Sequence, residues 1–383
     1  FSADVNGLKA LSSELDTRIK SLESEIYSLV GYEFNLNSPK QLGVALFEKL
    51  GLPAKKKTKS GYSTGAEVLE GLKNEHPAVS LLLNYRQLAK LKSTYADGLQ
   101  ECIAEDGRIH STFNQTEART GRISSLEPNL QNIPVRTAEG RRLREYFNAP
   151  AGRVLCDADY SQIELRVLAS MSGDANMINA FGSGTDIHTV TASQVFGLPQ
   201  DMITPELRSR AKAVNFGIVY GIGAFSLSKD IGVTRAEADR YIKSYLAAYP
   251  GVAAYMEKAI EDAKKNGYVT TLYGRRRYIP ELSNSNGNMR AFGERVARNA
   301  PIQGTAADII KIAMIKVSRS LKEEFPTARL ILQVHDELIV ECDERDAEGV
   351  CALLEREMES AADLAVRLTA EAHFGKTWLE AKA

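Results

Sequence analysis

LILQVHDELIVE, residues 330–341, sets two short apolar runs (330–334 and 338–340) on either side of His335-Asp336-Glu337. Brief aliphatic and β-branched runs around a polar tip read as a buried β-hairpin. Folding alone asks for no adjacent carboxylates at such a tip. Ionised acids beside an apolar sheet are costly unless paired, hydrogen-bonded or metal-bound. Taken alone the triplet reads as a polar turn facing water. A second strand changes the reading: VLCDADY, residues 154–160, is another short apolar run that ends in acid. Two acidic strand ends from distant parts of one chain can meet around divalent cations.

The chain has 383 residues, of which 44% are hydrophobic and 25% charged, enough for two or three domains with ordinary cores. A formal net charge of -1 means that any nucleic-acid partner must be met by a local basic patch. Cys102, Cys156, Cys342 and Cys351 form no C-x-x-C pair. That disfavours a zinc site or disulfide framework and fits a reducing cytoplasm. No apolar run reaches membrane-spanning length and the N-terminus lacks a signal-peptide layout, so no membrane partner is expected. The chain opens at Phe1 without an initiator methionine, as a piece of a longer protein would.

Leu8, Leu11, Leu15, Ile19, Leu22, Ile26 and Leu29 recur at helical steps over residues 1–30. Ser38-Pro39 then supplies an N-cap and a first-turn proline for a second helix. The loop at 53–64 carries Lys55, Lys56, Lys57 and Lys59. A lysine run is commonly a solvated loop, but Gly61, Ser63 and Thr64 beside it suit phosphate oxygens. Helical spacing resumes at 68–72 and 78–103, with Lys90 and Lys92, giving an all-helical unit with a basic tip. Residues 108–113 read as a strand and 124–136 as an extended polar segment; Arg141, Arg142 and Arg144 then precede the acidic strand. Helices dominate 161–300, and a helix at 305–321, the hairpin and a helix at 347–368 follow. The sum is an α+β chain in which a sheet-bearing domain is interrupted by a helical insertion.

In ELRSRAKAVNFGIVYGIG, residues 206–223, Arg208, Lys212, Phe216 and Tyr220 recur every fourth residue and so share a slowly drifting helix face. Two cations followed by two aromatics can be a solvated end and a core end. They can equally grip a polyphosphate and stack on a base. Gly221-x-Gly223 follows a helix rather than a strand, which excludes a dinucleotide fingerprint, and there is no GxxxxGK[ST] loop.

DYSQIELR (159–166), RSRAKAVNFGIVYG (208–221) and QVHDE (333–337) resemble the three motifs of the family-A DNA polymerases. TGRISS (120–125), PNLQNIP (128–134), DIH (186–188) and NAPIQGTAAD (299–308) are similar to further stretches of that family, in the same order. The resemblance implies a right-hand fold with an antiparallel-sheet palm, helical fingers and helical thumb. By that likeness residues 1–104 are thumb, 105–173 and 289–383 the two parts of the palm, and 174–288 fingers. It implies a monomer that extends a primer 3′-hydroxyl on template DNA with dNTPs by two-metal-ion phosphoryl transfer, releasing pyrophosphate. The length leaves no room for the family's nuclease domains, so no proofreading is expected in this chain.

The same likeness assigns residues. Asp159 and Asp336 match the family's metal ligands for two Mg²⁺ ions, with Mn²⁺ able to substitute, and the Tyr160 carbonyl resembles a further ligand. Glu337 is an auxiliary acid, because neighbours on a strand face opposite ways; Asp157, on the face of Asp159, reads as a supporting or edge-exposed acid. Arg208, Lys212 and His188 match triphosphate contacts, with Lys212 the proton donor to pyrophosphate. Phe216 and Tyr220 are placed by nucleotide and template. Glu164 resembles a steric gate against a ribose 2′-hydroxyl, with Gln162 a polar contact nearby. Arg122, Asn129, Gln131, Asn299 and Gln303 match positions lining DNA near the primer end, where minor-groove acceptors are shared by all correct pairs. Arg295 and His335 are template or primer contacts, and the lysines at 55–59 with Lys90 and Lys92 hold duplex phosphates.

Overall fold

The computed structural model describes residues 1–54, 57–58, 61–134 and 137–382, with backbone alone at Lys57 and Thr58. Lys55, Lys56 and Lys59 lie outside the described residues. The chain divides into two compact units, Phe1–Ser111 with Asn132–Asn148 and Thr377–Leu379, and Thr112–Gln131 with Ala149–Lys376 and Glu380–Ala383.

The first unit is helical. Its longest element, α1 (Val5–Val30), starts where the Asp4 side chain accepts from Gly7 N at 2.9 Å and stops at Gly31, whose φ of 91° the missing Cβ permits. Leu8, Leu11, Leu15, Leu22 and Ile26 line its buried stripe and pack on α2 (Pro77–Lys90), which contributes Leu82, Tyr85 and Leu88. Ser38 caps the short helix Pro39–Gly43, as its sequence predicts. Lys57–Thr58 pairs with Gly61–Tyr62 as a two-residue ribbon.

The second unit is built on a four-stranded antiparallel sheet. Its strands are β1 (Arg153–Tyr160), β2 (Arg329–Val334), β3 (Glu337–Asp343) and β4 (Ala370–Gly375), in the order β2-β3-β1-β4. The hairpin expected at 330–341 is β2-β3, turning at His335-Asp336. In register Glu337 faces Asp159, Ile339 faces Asp157, and Glu371 faces Asp159 from the other side. Because side chains alternate across a sheet, Asp157, Asp159, Glu337 and Glu371 share one face. Cys156, Ala158, Tyr160, Leu338, Val340 and Cys342 share the other, within the main core. Helices α3 (Ile163–Ser172), α4 (Ile187–Phe196), α5 (Pro205–Val219), α6 (Gly287–Glu324) and α7 (Ala347–Glu359) complete the layers.

Several boundaries differ from the sequence expectation. Only Thr112–Asn114 of the 108–113 stretch is strand, paired with Ser124–Leu126. The helix expected at 305–321 is the C-terminal part of the 38-residue α6, which runs through Pro301. Proline removes one intrahelical N–H, which α6 accommodates within its length. The helix expected at 347–368 ends at Glu359, because Leu364, Val366, Leu368 and Ala370 alternate at a period of two and lead into β4. A hairpin, Tyr268–Thr270 with Arg276–Tyr278, stands inside the region read as helical.

Candidate active site

Two segments far apart in sequence meet at the C-terminal end of β1. Asp159 is the last residue but one of that strand, Asp336 sits in the adjoining turn, and Tyr160 N donates to the Asp336 carbonyl at 3.2 Å. Both aspartates line a cavity of about 480 Å³ together with Arg122, Tyr160, Gln162, Glu164, His188, Arg208, Lys212, Phe216, Tyr220 and His335. The wall therefore gathers most of the residues singled out by chemistry and resemblance, with Lys212 and Tyr220 open to solvent.

Two residues of the wall hold unusual backbone. His335, at the hairpin tip, and Gln162, at the start of α3, have φ of 54° and 58°. Left-handed backbone costs a non-glycine residue about 1–2 kcal/mol, so each conformation must be imposed by its surroundings. At the tip, Gln333 Nε2 donates to the His335 carbonyl at 2.6 Å, and Gln131 Nε2 reaches the Gln333 carbonyl at 3.0 Å.

The acids repel one another. Burial and then the Asp159 charge hold the Asp336 carboxyl above its usual range, and Asp159 is raised by burial and by Glu337. Asp157, almost fully buried, is raised by burial and then by Glu337. Lys382 relieves part of this, bonding Glu337 and standing 3.5 Å from Asp159 and 4.0 Å from Asp157. Burial alone would lower the Lys382 ammonium; the three acids outweigh it and raise its pKa. Asp159 Oδ1 is nonetheless buried without a hydrogen-bond partner. A hard oxygen donor pair under mutual repulsion, one oxygen of it unmet, fits a hard divalent cation. Among the described residues no three His, Cys, Asp or Glu side chains form a metal-holding group by themselves. Such an ion would therefore take its remaining ligands from backbone, water or substrate.

Of the two cations that line the cavity, Arg208 is already engaged. Asp186 caps α4 through Thr189 N (2.8 Å) and grips Arg208 by two bonds of 2.9 Å. Burial works against the Asp186 charge, but Arg208 and Thr189 hold its pKa down to about 2. His188, 2% exposed, is lowered to about 4, by burial first and with help from Lys212 and Arg208. It is a neutral imidazole at pH 7. Phe216 and Tyr220 lie stacked, ring centroids 6.3 Å apart. Glu164, 7% exposed, accepts from Arg122 Nη2 at 2.9 Å.

Not every expected residue joins the wall. Asn129, Gln131, Arg295, Asn299, Gln303 and Glu337 do not line the cavity. Arg295, Asn299 and Gln303 follow at four-residue steps along α6, with Arg295 against Gly221 at the end of α5. Sequence reasoning missed Asp186, Asn215 and Lys382. The first stood in plain view inside DIH, while nothing in the sequence ties Lys382 to acids 45 or more residues away.

Comparison with known proteins decides the lineage. Residues 5–380 match the sequence profile of DNA polymerase family A. The chain belongs to DNA polymerase family A. Among relatives, the DNA polymerase I of Geobacillus stearothermophilus is 51% identical over 381 residues, covering 99% of this chain and 44% of that protein. That of Bacillus subtilis is 52% identical over 382 residues, covering 99% and 43%. This family-A chain thus spans less than half the length of these relatives. A solved structure titled as the POL domain of Pol1 from M. smegmatis, in complex with DNA primer-template and dNTP, matches with a TM-score of 0.94. It is 45% identical and covers 100% of this chain and 68% of that one. The right-hand polymerase fold expected from the sequence is thus the fold of this family-A member. No described helix is long and apolar enough to cross a membrane.

Proposed function

We propose that this chain is a template-directed DNA polymerase that adds dNTPs to a primer 3′-hydroxyl and releases pyrophosphate. One observation carries the proposal: Asp159 and Asp336, 177 positions apart, line a single cavity of about 480 Å³ together with Arg208 and Lys212. The solved neighbour's title, naming primer-template and dNTP, supports the same reading.

Asp159 and Asp336, with the Tyr160 carbonyl, would hold two Mg²⁺ ions. Bound there, magnesium supplies neutralisation of the triphosphate and acidifies the attacking hydroxyl. Arg208 and His188 hold the triphosphate, and Lys212 donates a proton to the departing pyrophosphate. Arg208 must exchange the Asp186 carboxylate for phosphate oxygens, a swap of one forked acceptor for another. Phe216 packs on the nucleotide's sugar and base, and Tyr220 stands by the template. Glu164, fixed by Arg122, closes the space a 2′-hydroxyl would need. Gln162 and His335 border the reacting groups on backbone that is already constrained.

Duplex DNA is held near the primer end by Arg122, Asn129, Gln131, Arg295, Asn299 and Gln303, and through its phosphates by the lysines at 55–59 with Lys90 and Lys92. Residues 1–104 act as thumb, 174–288 as fingers, and 105–173 with 289–383 as palm. The chain would work as a monomer.

Primer extension with Mg²⁺ tests the reading. Wild-type protein should extend a primed template with dNTPs and scarcely with rNTPs. Asp336→Ala should abolish extension while fluorescence anisotropy shows DNA binding retained. Unchanged extension by that variant would overturn the proposal.

A further inference from the structure

His188 stands at the head of a buried polar chain that the reaction as described does not use. Its Nδ1 is 3.0 Å from Asn215 Nδ2; Asn215 Oδ1 is 3.3 Å from Thr191 Oγ1; and Thr191 Oγ1 is 3.3 Å from the Tyr249 hydroxyl. Asn215, Thr191 and Tyr249 are each 0% exposed, so water does not compete for these bonds. The members come from α4, α5 and the C-terminal end of the helix Arg235–Ala248, which makes the chain a rigid strut across three elements.

The Asn215 amide, with Nδ2 toward His188 and Oδ1 toward Thr191, gives the chain a direction. Tyr249 can donate to Thr191, Thr191 to the Asn215 carbonyl oxygen, and the Asn215 amide to His188 Nδ1. Bonds oriented one way along a dry chain polarise and strengthen each other. An acceptor Nδ1 leaves the single proton of a neutral imidazole on Nε2, the remaining polar atom of a ring that lines the cavity beside Arg208 and Lys212.

We propose that Asn215 is a positioning residue that holds His188 in its Nε2–H form, so that the ring meets a triphosphate oxygen as a neutral hydrogen-bond donor. This rests on the reading of the cavity as a dNTP site. The division of labour follows: Arg208 and Lys212 bring charge, while His188 brings one directed bond that does not add to their mutual repulsion. Without Asn215 the ring is free to exchange tautomers, and in the other form an Nε2 lone pair would face phosphate.

The chain has five histidines, so two-bond ¹⁵N–¹H correlation spectra of histidine-labelled protein are tractable. The His188 signals are identified by their loss in His188→Gln. Wild type should show Nε2–H alone. Asn215→Leu should show a tautomer mixture and a dNTP KM raised about tenfold, the size of one charged-acceptor hydrogen bond, with kcat changed less than about twofold. Thr191→Val, nearly isosteric and certain to disturb the core less, should fall between the two in both readouts. An Nδ1–H signal in wild type overturns the proposal, as does a folded Asn215→Leu with wild-type tautomer and KM. If Asn215→Leu does not fold, a Thr191→Val protein identical to wild type in both readouts overturns it. Loss of the polymerase reading would show separately, as wild-type protein with the expected tautomer and no primer extension.

Discussion

Glu164 receives Arg122 Nη2 at 2.9 Å while standing 7% exposed, a buried carboxylate whose charged form Arg122 and the Tyr220 hydroxyl both favour. Burial raises the Glu164 pKa, and Arg122 pulls against that rise. Arg122→Met should therefore cost about 1–3 kcal/mol in urea denaturation, the penalty of a buried carboxylate stripped of its counter-charge. Arg122→Met with Glu164→Gln should recover at least half, because the orphan charge is gone. An additive double mutant would show that the pair is not coupled.

Lys382 is the counter-charge of Glu337, Asp159 and Asp157. Lys382→Met leaves these three acids, of which Asp159 lines the proposed cation site, without their ammonium. Mn²⁺ binding in the absence of nucleotide, followed by electron paramagnetic resonance, should tighten by about 3–10-fold, and stability in metal-free buffer should fall. Unchanged Mn²⁺ affinity would mean that Lys382 is screened from the site.

His188 gives the protein a pH signature. Its folded pKa of about 4 lies below the ordinary histidine value near 6.5. The unfolded chain therefore binds the extra proton first as pH falls. The stability contributed by the neutral buried ring is full above about pH 6.5, shrinks as pH drops, and is gone at about pH 4. The span is about 3 kcal/mol. His188→Gln should remove that component, so the wild-type-minus-variant stability difference should slope between pH 6.5 and 4 and be flat above pH 7.

Gly121 has φ of +81°, and a Cβ there would lie 2.7 Å from Arg275 Nε. Arg275 cannot step aside, because Nε and Nη2 are bonded to Asp308 at 2.8 and 2.6 Å, and Asp308 also holds Thr271. Gly121→Ala should destabilise by about 2–3 kcal/mol in chemical denaturation, from left-handed strain plus displacement of a partly buried ion pair. Since Arg122 is the next residue, extension should fall more than stability alone explains.

The acidic part of the cavity was legible in the sequence because strand alternation and a turn signal act locally. VLCDADY and QVHDE each announce an acid at a strand end, and the four-residue recurrence of Arg208, Lys212, Phe216 and Tyr220 announces a helix face. Asn215 was hidden because an asparagine in a helix interior looks the same whether it faces water or a histidine 27 residues away. Lys382 was hidden for the reason that charge pairing between distant segments leaves no periodic trace. The β4 strand was missed although Val366, Leu368 and Ala370 alternate, because the helical pattern of α7 runs straight into them.

The pairing of β3 against β1 carries a consequence for how the fold matures. A slip of a single residue between these strands would turn Glu337 into the layer occupied by Leu338 and Val340 and pull the 335–336 turn off the end of β1. A chain trapped in that misalignment would bury an ion among hydrocarbon and would also lack its paired acids. An error of assembly would thus cost stability and take apart the proposed site in one step.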